Sequence, residues 1–260
     1  MKREIEEDDV VIMNFSGIYS LEKFAKDNRF KVLDCHNLQG TDGYCDAEAE
    51  KYIKRLLRPL SCSGIHFLDS GDYHYMTKFW TDKIERPFNL LIFDHHTDLQ
   101  DPAFGDILSC GGWIKQVLKT NKYLQKVILA GPPAAAAFSL PIEFRDRIVF
   151  HPETELIQDQ RWREYIGQEN TCPVYISIDK DILLKRECPT NWDQGNVSMS
   201  LLEDMLDAIF EEDKVIGIDI CGECASSLDF LEKRKEATRN NLVNIEILKT
   251  ILQDMFKTSR

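Results

Sequence analysis

The sequence predicts a three-layer α/β/α fold with a central, mostly parallel sheet. Eight short apolar runs rich in β-branched residues recur along the 260 residues, and segments with helical periodicity lie between several of them. Runs of this kind are typical of strands buried on both faces. Strands that alternate with helices form a parallel sheet with helices on both sides, so we expect a single α/β domain over residues 1–260.

The predicted elements follow from local patterns. The strands are, in chain order, 10–15, 31–34, 64–69, 89–94, 126–131, 147–150, 173–179 and 214–219. The helices are 46–57, 112–120, 200–212 and 241–256, where apolar residues recur at helical spacing. Ser200 and Glu203 have the spacing of a capping box, which predicts that the third helix begins there. Proline, glycine and asparagine predict loops at 132–147 and 184–198.

Composition narrows the possible partners. The net charge is -12, and no basic patch is visible, which disfavours nucleic-acid binding. No run approaches the roughly 18 apolar residues of a membrane helix, and residues 1–9 are too charged for a signal peptide, so we expect a cytoplasmic protein. We expect the eight cysteines to be reduced thiols, because a chain with 43% hydrophobic residues does not need disulfides to stabilise a core.

Three predicted strands end in acidic residues. The strand at 89–94 runs into Asp94-His95-His96-Thr97-Asp98, the strand at 173–179 into Asp179-Lys180-Asp181, and the strand at 214–219 ends at Asp219. Side chains two apart on an extended chain point the same way, so the carboxylates of each group can converge. Several buried carboxylates are tolerated together only when cations compensate them. The pattern therefore predicts a metal site.

The charge count favours two divalent ions. Four aspartates carry four negative charges, and neutral imidazoles would complete the coordination. Carboxylates mixed with histidine favour Mn²⁺, with iron, cobalt or catalytic zinc as alternatives, whereas Ca²⁺ and Mg²⁺ prefer oxygen ligands. A turn after the strand at 64–69 supplies one more imidazole. The candidate ligands are His74, Asp94, His96, Asp98, Asp179 and Asp181.

These motifs resemble those of the ureohydrolase family, which includes arginase, agmatinase and formiminoglutamase. The family's D-x-H-x-D motif is matched by residues 94–98, its S-x-D-x-D motif by residues 177–181, and its G-G-D-H motif loosely by residues 71–74. The resemblance runs from about residue 64 to 224. It implies an arginase-like fold and a binuclear manganese site with a bridging water or hydroxide.

The resemblance also implies roles for two further side chains. The bridging hydroxide would attack a planar carbon bonded to nitrogen, in a guanidino, formimino or amide group of a small molecule. Asp98 would accept a hydrogen bond from the hydroxide and pass the proton to the leaving amine. Glu223 would contact the substrate. The chain departs from arginases because no histidine lies between His96 and His151, and because Ile182 follows the second motif where proline is usual.

Two other functions stay open. One is a phosphoesterase of the DHH type, since residues 94–96 spell that motif, although Asp42 and Asp46 are a poor match for its upstream aspartates. The other is a metal-binding protein of the same fold without turnover. We interpret the C-x-x-C string formed by Cys221 and Cys224 as coincidental. The sequence leaves the substrate and the formation of homo-oligomers undetermined.

Overall fold

The central sheet has eight strands, and every neighbouring pair in it is parallel. The computed structural model describes residues 10–102, 105–158, 162, 172–225 and 229–257. The strands of the sheet are β1 (Val10–Asn14), β2 (Lys31–Asp34), β4 (Ile65–Phe67), β5 (Phe88–Phe93), β7 (Leu124–Ala130), β8 (Ile148–His151), β9 (Val174–Asp179) and β10 (Val215–Cys221). Their order is β2-β1-β4-β10-β9-β5-β7-β8. All eight predicted strands are confirmed.

Helices cover both faces of the sheet. They are α1 (Ala47–Leu57), α2 (Met76–Thr81), α3 (Trp113–Thr120), α4 (Glu153–Gln158), α5 (Met199–Glu212) and α6 (Phe230–Lys257). Apolar side chains of α1, α2 and α3 belong to one core, and those of α4, α5 and α6 to the other. Along β5, Leu90 and Ile92 face the first core, whereas Leu91 and Phe93 face the second. This alternation is the period of an extended strand, and it confirms the three-layer fold.

Two predicted helix starts need correction, and one strand pair was not predicted. Helix α5 begins at Met199, because the side chain of Ser198, and not that of Ser200, accepts a hydrogen bond from the backbone N–H of Leu201. Helix α6 begins at Phe230, so the basic stretch before residue 241 is helical. A short antiparallel pair, β3 (Tyr44–Cys45) with β6 (Leu108–Ser109), was not predicted, because two residues carry no periodicity.

Two expectations from composition are tested on the described residues. No disulfide joins any of the eight cysteines, all of which the structure describes. Within the described ranges, no helix combines the length and the apolar character needed to cross a bilayer.

The strand order brings the acidic strand ends together. Strands β4, β10, β9 and β5 are consecutive in the centre of the sheet. Across them, Phe67 pairs with Ile220, Cys221 with Asp179, and Phe93 with Ile178. Because the strands are parallel, their carboxyl ends open onto one edge, where ligand sites of such sheets lie.

A buried histidine next to this edge makes the stability of the fold depend on pH. The ring of His66 is fully buried, stacks on Trp80 with 3.7 Å between ring centroids, and has Nδ1 3.0 Å from the Tyr175 hydroxyl. Burial lowers the pKa of His66 to about 3. A lowered pKa in the folded state gives stability that is present above the unfolded-state pKa, near 6.5, and is lost as the pH falls below it.

We therefore expect the unfolding free energy to decrease by about 2 kcal/mol between pH 7 and pH 5 because of His66. Urea unfolding of the metal-free protein at both pH values measures this loss. The loss should be smaller by that amount in His66→Gln, whose amide does not titrate. Equal losses in both proteins would show that His66 is protonated in the folded state.

Candidate metal site

The ligand candidates come from three loops at the carboxyl edge of the sheet. His74 follows a 3-10 turn, Gly71–Tyr73, after β4; Asp94 directly follows β5; and Asp179 ends β9. All three side chains are buried, with exposed fractions of 1%, 1% and 3%. The order of the strands therefore places acids and imidazoles from distant parts of the sequence in one small volume.

One cluster surrounds the ring of His74. Its Nδ1 atom lies 3.2 Å from Asp94 Oδ2, 3.1 Å from Asp98 Oδ2 and 3.5 Å from Asp179 Oδ2. Among the described residues, neither His74 Nδ1 nor Asp94 Oδ2 finds a hydrogen-bond partner, although both atoms are buried. Buried polar atoms without partners are costly, and here they point towards one another, as ligands of a shared cation do.

The other ring nitrogen of His74 determines its tautomer. Ser177 Oγ donates to Asp219 Oδ1 at 2.5 Å and lies 2.9 Å from His74 Nε2. Since the hydroxyl proton is directed to Asp219, Ser177 accepts the Nε2–H of His74. With a metal bound, Nδ1 would then present its lone pair to the ion among the carboxylates. A histidine that ligates a metal is usually oriented by such a partner on its other nitrogen.

A second cluster forms around His96. Its Nδ1 lies 2.8 Å from Asp181 Oδ2 and 3.6 Å from Asp94 Oδ1. The backbone N–H of His95 donates to Asp181 Oδ1 at 3.0 Å, which holds that carboxylate in place. Asp94 belongs to both clusters, one oxygen to each, so it is the carboxylate that two ions would share.

The pKa shifts indicate an excess of negative charge. Burial and then the charge of Asp94 raise the pKa of Asp98 to about 6, and burial followed by neighbouring carboxylates raises the pKa values of Asp179 and Asp181. Burial would also raise the pKa of Asp94, but the close imidazole rings of His74 and His96 hold it below the usual value. Hydrogen bonds to Asp181 and Asp94 raise the pKa of His96 to about 11. Each of these pKa shifts shows that positive charge stabilises the clustered carboxylates. The set of ligand atoms therefore fits divalent cations.

Two backbone features hold the carboxylates close together. Asp98 has φ of 45°, a conformation that non-glycine residues rarely adopt, and its Oδ2 accepts the indole N–H of Trp113 at 2.7 Å. Gly222 has φ of 92°, and a Cβ atom there would lie 2.5 Å from Asp179 Oδ1. A glycine is therefore required where β10 passes the second motif.

A cavity of about 620 Å³ opens onto the clusters. Its floor carries five of the six candidate ligands, namely Asp94, His96, Asp98, Asp179 and Asp181. Its walls are mixed, with Tyr44, Trp192 and Ile107 beside Gln100, Asp101 and Ser109. The sixth candidate, His74, lies beneath this floor. The volume suits a small molecule.

The structure places Glu223 away from the cavity. Its side chain is fully buried and forms an ion pair with Lys180, and it accepts a hydrogen bond from Asn244 at 2.8 Å. The substrate contact expected of Glu223 stays a prediction, and its position in the fold argues against it.

The sequence analysis missed one side chain next to the site. Cys221 ends β10, and its Sγ lies 3.1 Å from Asp179 Oδ2. The available signal was its position directly after the apolar run at 214–219, two residues beyond Asp219. Interpreting Cys221 only as part of a C-x-x-C string concealed its proximity to the second motif.

The upstream aspartates that a DHH phosphoesterase would need do not reach the site. Asp46 begins α1, and its side chain accepts hydrogen bonds from the backbone N–H groups of Glu48 and Ala49. Asp42 is exposed and does not line the cavity. The geometry therefore gives this alternative no support.

Comparison with known proteins agrees with the geometry. The arginase family matches residues 11–245. A protein of Thermotoga maritima described as uncharacterized is 33% identical over 235 residues, which cover 89% of this chain and 85% of that protein. Proclavaminate amidino hydrolase from Streptomyces clavuligerus superposes with a TM-score of 0.67 at 14% identity, covering 98% of this chain and 93% of that one.

A third comparison shows the same fold. A formiminoglutamase from Trypanosoma cruzi, solved with Mn²⁺, superposes with a TM-score of 0.63 at 13% identity and covers 94% of both chains. At these identities the two structural matches show the fold alone, whereas the family match extends over most of the chain. The chain therefore belongs to the arginase family.

Proposed function

We propose that this protein is a hydrolase that holds two divalent metal ions and cleaves a non-peptide C–N bond in a guanidino, formimino or amide group. The observation that carries the proposal is the pair of ligand clusters that share Asp94 on the floor of a small-molecule cavity. One ion would be held by His74, Asp94, Asp98 and Asp179, and the other by Asp94, His96 and Asp181.

The residues of the chain supply orientation and proton transfer. When bound, two divalent ions lower the pKa of a shared water, so that hydroxide is available near neutral pH. Asp98 would accept a hydrogen bond from that water and would pass a proton to the leaving amine. The indole of Trp113 keeps this carboxylate oriented.

The cavity wall favours a small substrate with a cationic or neutral polar group. Asp101 provides a negative charge, and Gln100 and Ser109 provide hydrogen-bonding groups, while Trp192 and Tyr44 offer aromatic faces. Amidine-type cations bind both to carboxylates and to aromatic faces. The mixed carboxylate and imidazole ligands favour Mn²⁺, the ion of the Trypanosoma cruzi formiminoglutamase. The cytoplasmic location and the single domain stay predictions, and the formation of homo-oligomers stays undetermined.

Turnover and metal content test this function together. Protein purified without chelator should contain about two divalent ions per chain and should release urea or ammonia from some member of a guanidino, formimino and acyl-amine panel. Release of phosphate or nucleotide from phosphoesters would favour the DHH alternative. Two bound ions without turnover on the whole panel would favour a metal-binding protein that has no catalytic activity.

Removing the metal should destabilise the protein. We expect chelation to abolish activity and to lower the melting temperature by about 5 °C or more, because ions at 100 times their Kd stabilise the fold by about 2.7 kcal/mol. Adding Mn²⁺ back should restore both. Differential scanning calorimetry before and after chelation measures the shift. The variant Asp204→Asn, which replaces an exposed aspartate on α5, is the matched control. An unchanged melting temperature would contradict the metal site.

A further inference from the structure

Cys221 brings a sulfur atom to the cluster around His74. Strands β9 and β10 pair Asp179 with Cys221, so both side chains leave the sheet at the same edge. Cys221 Sγ is fully buried and lies 3.1 Å from Asp179 Oδ2. His74, Asp179 and Cys221 each offer one ligand atom, and the three atoms lie within 4.8 Å of one another.

These distances are those of ligands on one ion. Metal–sulfur bonds of about 2.3 Å and metal–oxygen or metal–nitrogen bonds of about 2.0–2.2 Å place two ligand atoms about 3.0–3.7 Å apart at ordinary coordination angles. The separation of Cys221 Sγ from Asp179 Oδ2 is 3.1 Å, and that of His74 Nδ1 from Asp179 Oδ2 is 3.5 Å. Both fall inside this range.

An independent observation points to the same ligand position. His74 Nδ1 is buried without a hydrogen-bond partner, and its side chain is 1% exposed. With Nε2–H donated to Ser177, a bound ion would meet the Nδ1 lone pair inside the group that also contains Asp179 and Cys221. The position of this nitrogen therefore points to an ion within reach of the Cys221 sulfur.

We propose that Cys221 is a further metal ligand, whose thiolate binds the ion held by His74 and Asp179. This inference rests on the proposed function, because it requires that the cluster hold metal. On binding, the S–H bond of Cys221 breaks, the proton passes to solvent and a sulfur–metal bond forms, with no change of oxidation state.

The thiolate makes the two metal positions unlike. The ion near His96 has oxygen and nitrogen ligands only, whereas the ion near His74 gains a soft sulfur ligand. Thiolate ligands favour zinc, iron or cobalt over manganese. The position near His74 should therefore select a more thiophilic ion than the position near His96, so that the protein holds a mixed pair when both kinds of ion are available.

Cobalt reports sulfur ligation directly. The metal-free protein is loaded with Co²⁺, and its near-ultraviolet absorption is recorded together with the cobalt content. We expect about two cobalt ions per chain and a sulfur-to-cobalt charge-transfer band. Cys221→Ser should lose the band while still binding cobalt, and its preference for zinc over manganese should fall by about tenfold or more.

Two other cysteines serve as controls. Cys35→Ser alters a buried thiol outside the ligand groups, and Cys110→Ser alters a thiol on the cavity wall. Both variants should keep the band. Loss of the band in Cys110→Ser but not in Cys221→Ser would overturn the assignment.

The outcomes separate this inference from the proposed function. Two bound cobalt ions without the charge-transfer band in the unaltered protein would overturn sulfur ligation and leave the proposed function standing. Failure to bind cobalt, zinc or manganese would overturn both. Since absence of the band in the unaltered protein already overturns sulfur ligation, and its loss in Cys110→Ser would assign it to another thiol, the inference stays testable even if Cys221→Ser does not fold.

Discussion

Asp181→Asn should lower metal affinity by more than about 100-fold and abolish hydrolysis, yet make the metal-free protein more stable. Loss of a direct ligand exceeds the 10–100-fold cost of removing an outer partner. In the metal-free protein, burial and then the charges of Asp179 and Asp94 raise the pKa of Asp181, so its ionised form opposes folding near neutral pH. Asparagine removes that charge and keeps an oxygen for the backbone N–H of His95.

Asp181→Asn should therefore raise the melting temperature of the metal-free protein and lower the melting temperature measured with metal. These two opposite shifts would identify Asp181 as a metal ligand. Each pKa unit by which the fold disfavours the carboxylate corresponds to about 1.4 kcal/mol, and each kcal/mol shifts the melting temperature by about 2–4 °C in a protein of this size. Calorimetry with and without Mn²⁺, together with titration of the metal, measures both effects. A variant that keeps full metal affinity would disprove ligation by Asp181. Asp204→Asn again controls for loss of an exposed carboxylate.

Lys180→Met should destabilise the fold by about 3–5 kcal/mol, the usual cost of leaving one partner of a buried ion pair alone. Lys180 Nζ donates to Glu223, to Asn240 Oδ1 at 2.8 Å and to Asn244 Oδ1 at 2.9 Å, and its side chain is fully buried. Burial would lower the pKa of Lys180, but the charge of Glu223 raises it. Lys180 is therefore charged, and its removal leaves the buried carboxylate of Glu223 without a cationic partner.

The same ammonium group connects the second motif to helix α6. Asn240 and Asn244 lie on α6, and Lys180 lies between two candidate metal ligands. Urea unfolding should show that Lys180→Met with Glu223→Gln is more stable than Lys180→Met alone, since the double variant removes the charge that Lys180 compensates at Glu223. Lys185→Met, an exposed lysine in the loop after β9, should change stability little. A single variant as stable as this control would contradict the charged pair.

Much of the fold could be predicted because its local signals are strong. Eight apolar runs with β-branched residues mark the strands, and they do so because buried parallel strands must be apolar on both faces. The boundaries of the helices and strands were predicted less accurately than their existence. The capping residue of α5 was wrong by two positions because Ser198 and Ser200 have the same chemistry, and only the hydrogen bond to Leu201 distinguishes them.

The candidate site could be predicted in composition but not in arrangement. Residues two apart on one strand share a direction, so the sequence grouped Asp94 with His96 and Asp179 with Asp181. It could not show that Asp94 belongs to both clusters, or that Ser177 and Asp219 orient His74. Those contacts join residues that are 20 to more than 100 positions apart in the chain.

The sequence by itself therefore determined the layers of the fold and which carboxylates and imidazoles follow the strand ends. Both follow from short-range patterns of burial and side-chain direction. The tertiary structure decided how these groups combine. By setting β10 between β4 and β9, it brought Cys221 to Asp179 and turned Glu223 towards Lys180. The physical reason is that strand order arises from packing of the whole sheet, which no single segment encodes.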